Sequence, residues 1–113
     1  MFKWLKERAE KASANQVRSS IALDARRLVD VSNQIDERIH RTGEADSFDI
    51  ERVCAAQQRL LDDIALGLAN RLSLQDIEGV ISGAFPVHTV SEGAGMALNH
   101  VLKHVRTEIK KAG

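Results

Sequence analysis

His100 and His104 are four residues apart, and they are the first place in this chain where residue type and spacing could do chemistry. On a helix such a pair lies on one side, within reach of a shared metal ion, and Glu108 extends the row by another turn. A metal site also needs a third ligand and an outer set of hydrogen bonds, and the sequence names neither. The plainer reading is polar boundary residues beside the apolar Val101 and Val105. His88 and His40 have no better claim.

Just upstream, Gly83 to Gly95 holds three of the seven glycines, the only proline, Ser91 and Glu92. Backbone amides at a glycine-rich helix start can hold an anion, so Ser91, Gly93 and Gly95 form a candidate nest for a phosphate or carboxylate. The stretch lacks the G-x-x-x-x-G-K pattern and follows no strand, and a tight turn that lets helices approach is the competing reading. No nucleophile comes with a base and an orienting group. Adjacent acids such as Asp62 and Asp63 point to different parts of a helix surface. The residues therefore argue against an enzyme and call for no cofactor.

The start of the chain is more suggestive. Phe2, Trp4 and Leu5 include the only tryptophan and are interleaved with Lys3 and Lys6, with Arg8 and Lys11 following. On a helix, Phe2, Leu5, Ala9 and Ala12 make a narrow apolar edge with Trp4 beside it. A basic amphipathic start of this kind can dock in a partner groove, pack on a second subunit, or lie on an anionic membrane. Its short apolar face favours packing over lipid.

The elements that must position these residues are helices. No glycine or proline precedes Gly43, so a first helix can run from about residue 2 to 42, with Ala14 to Gln16 its weakest stretch. After a polar turn, Ser47 can cap a second helix of about residues 48 to 72, with Asp49 and Glu51 favourable near its positive end. Ser73 and Asp76 open a short third helix, about 74 to 83, and Thr89 to Glu92 forms a capping box for a last helix, about 90 to 111. Gly93 and Gly95 weaken that first turn by about 1 kcal/mol each, which allows a later start.

The apolar stripe of the first two helices is a mirror image about a point between Glu44 and Ala45. Val17, Ile21, Ala25, Leu28, Ser32, Ile35 and Ile39 face Leu72, Leu68, Ile64, Leu61, Gln57, Cys54 and Ile50, as two antiparallel helices folded on one turn require. Ser32 and Gln57 are its one polar layer, either buried as a register pin or wet at the rim. Helix 2 carries apolar residues on two adjoining faces, so it should be central. The expectation is an all-α protein: an antiparallel hairpin completed by the third and fourth helices into a small helical bundle. It forms a single domain, 1–113, with residues 1–16 left unpaired by the hairpin, to meet the third helix, pack on another subunit or project as an overhanging arm.

At 113 residues, with 43% hydrophobic and 28% charged content, the chain suits one globular domain. Sixteen cations balance sixteen acids, but unevenly: residues 1–27 carry seven against three, 28–99 five against twelve, and 100–113 four against one. Basic ends around an acidic middle suggest self-association and argue against a protein devoted to nucleic acid. With the third helix as a crossover, the fourth returns toward Gly43 and the basic termini fall at opposite ends. The lone Cys54 sits in the stripe, which reads as a packed thiol in a reducing compartment. No apolar run approaches the ~20 residues of a membrane span, so the expectation is a cytoplasmic protein not integral to a membrane.

The leading functional expectation is thus a non-enzymatic interaction protein that forms a homodimer through its long first helix, the usual closed assembly. The alternatives are a peripheral binder of anionic membrane or nucleic acid through residues 1–12, and a small-ligand or metal site involving the glycine-rich loop with His100 and His104.

Overall fold

The computed structural model describes the backbone of residues 3–84 and 90–112, and side chains from Ala14 to Ala84 and from Val90 to Lys111. Among the described residues all regular structure is helical: α1 (Lys3–Thr42), α2 (Ser47–Ala69), α3 (Leu74–Gly83) and α4 (Glu92–Ala112). α1 packs against each of the other three, which makes a small helical bundle 62 Å long and 27 by 24 Å across. That length is close to the ~60 Å of a 40-residue helix. No helix among the described residues is long and apolar enough to cross a membrane.

The turn at the hairpin's tip has the expected chemistry. Gly43 takes φ +80, a left-handed conformation that favours glycine, and its amide donates to the Ile39 carbonyl. The cap of α2 is Asp46 rather than the expected Ser47. Asp46 accepts from the amides of Phe48 and Asp49, while the Asp49 carboxylate accepts from the Asp46 amide, a capping box built of two aspartates. Asp49 is 2% exposed and also receives Arg38 Nη1 at 2.5 Å, so one carboxylate joins the start of α2 to the end of α1.

The antiparallel hairpin holds, but the expected pairing does not. Asp24 meets Asp63, Gln34 meets Arg52 and Arg38 meets Asp49, where the mirror sets them against Ala65, Ala55 and Glu51. On α2, Leu60 and Gly67 join Ile64 in the core in place of Leu61 and Leu68, which are only half-buried; each is a step of one residue, about 100° of helix rotation. α1 keeps the expected stripe from Val17 to Ile35. Cys54 is exposed rather than packed. Ser32 is buried with its hydroxyl unpartnered, and Gln57 Nε2 donates to the Ala97 carbonyl of α4, so the two do not form a polar layer together.

α2 ends at Ala69, three residues earlier than expected. The amide of Arg71 donates to Leu68 O and that of Leu72 to Gly67 O, a Schellman closure with Arg71 at φ 68 where glycine is usual. Gly67 lets the helices close. A Cβ there would lie 3.2 Å from Leu72 Cδ1 and 3.3 Å from Ile21 Cδ1. Ser73 and Asp76 cap α3 reciprocally as the sequence predicts, and the Ser73 donors hold the Asp76 carboxyl below its ordinary range.

One topological expectation is overturned. Arg26 Nε donates to Ala84 O at the end of α3, and Ser91 is bonded to Asn33 and Asp36, so the chain is already near the tip where α4 begins. α4 then runs away from Gly43, with Ala97 beside Gln57 and Ile109 near Leu68. Both basic termini therefore lie at the same end of the molecule.

Candidate interaction surface

The glycine-rich start of α4 is an anion site, and its anion is the chain's own Asp36. The Ser91 hydroxyl donates to Asp36 Oδ2 at 2.6 Å and the Gly93 amide donates to the same oxygen at 2.9 Å. The Ser91 amide donates to Asn33 Oδ1 at 2.9 Å, and the Ser91 hydroxyl oxygen accepts from the Ala94 amide at 3.1 Å, so Ser91 is the N-cap. Glu92 is thus the first residue of α4, and Thr89 lies outside the described residues. A Cβ at Gly93 would run into the Asp36 carboxylate, whereas at Gly95 it would only touch Val90 at 4.0 Å. Sequence reading finds the amides of Ser91 and Gly93. It cannot find Asp36, because a partner 55 residues away leaves no local pattern.

His100 and His104 are both exposed, and among the described residues no group of three or more His, Cys, Asp or Glu is placed to hold a metal ion. His104 instead borders an open hollow of about 430 Å³ between α2 and α4, floored by Ile64 and Val105 with Leu61, Leu68 and Ile109 at its sides. A hollow of about 300 Å³ between α1 and α2 brings together Arg27, Arg52 and Arg59, but Arg27 lies 3.6 Å from Asp24, and Arg52 lies 3.9 Å from Asp49 and donates to Gln34. Beside it, burial and a hydrogen bond that the protonated Asp63 donates to the neighbouring Asp24 push the Asp63 carboxyl up from 3.8 to about 6.

The hairpin's tip is different in kind. α4 begins level with Asp36, so among the described residues the last turn of α1 and the first two turns of α2 are two helices without a third. The mirrored stripe continues there uncovered: Ile39 is 39% exposed, Ile50 61%, Phe48 70%, and Met96 on the first turns of α4 67%. Ile35, Ile39, Ile50 and Val53 frame a hollow of about 270 Å³, with Cys54 at its edge. Glu37, Glu44, Asp46, Glu51 and Glu92 are exposed around this end. No single residue announces the patch, because Ile39 has the same spacing as the buried members of the α1 stripe and Ile50 continues the apolar spacing of Leu61 and Leu68.

The side chains of Lys3, Trp4, Leu5, Lys6 and Arg8, and the whole of Phe2, lie outside the described residues; the α1 backbone is helical from Lys3. Comparison with protein-family models, with characterised proteins and with solved structures finds no match.

Proposed function

We propose that this protein is a non-enzymatic, self-associating helical module in which oppositely charged ends of neighbouring copies bind one another. The observation that carries this reading is the charge separation produced by the fold. Residues 3–28, 61–84 and 99–112 make up the half of the molecule opposite the tip, with twelve cations against eight acids. Residues 29–60 and 90–98 make up the half toward the tip, with four cations against eight acids. A net charge of +4 thus faces −4 along a 62 Å molecule. End-to-end attraction of this kind steers encounter and fixes orientation, and exposed apolar surface at the acidic end supplies affinity. The first helix, which reaches both ends, supplies the contact, and a homodimer is the smallest assembly that uses it. A reducing, cytoplasmic setting belongs to the same reading, since an exposed Cys54 is open to intermolecular oxidation elsewhere.

Sedimentation velocity over a range of protein and salt concentrations tests this. Association that weakens between about 0.05 and 0.5 M salt is expected. A strict monomer at about 1 mM protein in low salt would overturn it, since even weak association of about −4 kcal/mol shows there.

A second reading is favoured by the same-end placement of the termini: the cations of the arm and of the last turns of α4 together suit an anionic lipid or nucleic-acid surface. Anionic vesicles and short DNA, each at two salt concentrations with Trp4 fluorescence as probe, separate the two. A salt-sensitive signal lost on deleting residues 1–12 supports surface binding, and silence with both ligands removes it.

A further inference from the structure

We propose that the uncovered tip of the hairpin is a docking site for residues 3–13 of a second copy of this chain. The inference rests on the self-association reading and names its contact.

The molecule is incomplete in complementary ways at its two ends. At the tip, α1 and α2 run about 10 Å past the start of α4 with their inward face open. At the other end α2 stops at Ala69, so the hairpin offers residues 3–13 of α1 no second helix, and this eleven-residue stretch is about 16 Å long. Two helices run past the third at one end, and at the other α1 runs on beyond the end of α2. Laid on the tip, the sequence edge Leu5, Ala9 and Ala12 would complete the three-helix packing over Ile39, Ile50 and Val53, with Trp4 the anchor for the hollow.

Charge selects the same pairing. Lys3, Lys6, Arg8 and Lys11 flank that edge in sequence, and the tip is ringed by exposed Glu37, Glu44, Glu51 and Glu92. The hollow between α2 and α4 is a poorer match, since its rim offers Asp62 and Glu108, and Glu108 already lies 3.7 Å from Lys111. The occupant must come from another copy, because α1 is one unbroken helix that holds its own start and its own tip at opposite ends of the molecule. The contact joins unlike surfaces, so it closes as a pair when the copies lie antiparallel and propagates when they stack head to tail.

The chain carries its own reporters, one tryptophan in the arm and one exposed cysteine at the tip. A thiol-reactive fluorophore that tryptophan quenches on contact, attached to Cys54, should lose emission as protein concentration rises, in step with sedimentation, and should not do so in Trp4→Phe. In the unlabelled chain, Ile50→Asp should raise the dissociation constant about tenfold or more. Its melting temperature should not change, because Ile50 is already 61% exposed. Lys3→Glu with Lys6→Glu should weaken association, and mixing that variant with Glu37→Lys plus Glu51→Lys should restore it. Association without concentration-dependent quenching, and indifferent to Ile50→Asp, would overturn this contact while leaving self-association standing. A chain that never associates would overturn both.

Discussion

The waist and the tip of the α1–α2 hairpin are built from one stripe and have opposite fates. At the waist, Ile21, Leu28, Leu60 and Ile64 have no exposed surface, because α3 and α4 close over them through Ile77 and Val101. At the tip, Ile39 occupies the same helical phase as Ile21 and Leu28 and remains 39% exposed, while Ile50, in phase with the half-buried Leu61 and Leu68, is 61% exposed. Periodicity therefore reports which face of a helix is apolar; coverage depends on where the next helix begins. Here that is decided by Asp36, which draws the start of α4 to a point short of the turn.

The largest expected effect contrasts the two regions directly. Ile64→Ala should cost about 3 to 4 kcal/mol in chemical denaturation, the range for emptying a fully buried aliphatic site. Ile50→Ala should cost less than about 0.5 kcal/mol, as an exposed position does. Equal losses at both would mean that the tip is covered in the monomer. Next, Asp49→Ala should lose about 2 to 3 kcal/mol, because it removes half of the capping box and leaves Arg38 facing a buried gap; the cost is below that for a fully buried pair since Arg38 is 38% exposed.

A third contrast lies within α4. Gly95→Ala should stabilise by up to about 1 kcal/mol through helix propensity, whereas Gly93→Ala should destabilise by about 1 to 2 kcal/mol because its methyl displaces Asp36. If both glycines respond alike, the clasp does not set the start of α4. The smallest effect is at the waist's edge. Asp63 is raised to about 6 in the folded protein from 3.8, so the native state holds more protons between these values and stability falls as pH rises from about 4 through 6. Asp63→Asn should remove that slope and gain about 1 kcal/mol at pH 7.5, after allowing for solvent screening, with no gain below about pH 4.

The four helices and their order were legible because capping residues and an uninterrupted run to Gly43 are local signals. Errors arose where two local readings differed by little. Asp46 and Ser47 are both good caps, and the interlock of Asp49 with Arg38 selects the first. The one-residue shift of the buried face of α2 follows from its second apolar face, which let Leu61 stand in for Leu60 at equal spacing. The end of α2 was hidden because Arg71 occupies a left-handed position that glycine would have marked. The placement of both basic ends together was beyond local reading altogether, since it depends on contacts such as Gly93 with Asp36, 57 residues apart. Of the candidate site, the amides of Ser91 and Gly93 could be found in advance, but the chain's own claim on them could not.

The turn at Gly43 also bears on how quickly the chain finds its fold. Every α1–α2 contact straddles that turn, beginning with Arg38 and Asp49 at a separation of 11 and continuing with Gln34 and Arg52 at 18. Each contact shortens the loop that the next must close, so the hairpin can zip from its tip at little entropic cost per step. α4 has no such ladder and must find Asp36 across a long loop. In refolding kinetics, Asp49→Ala is therefore expected to slow folding, while Gly93→Ala should mainly speed unfolding.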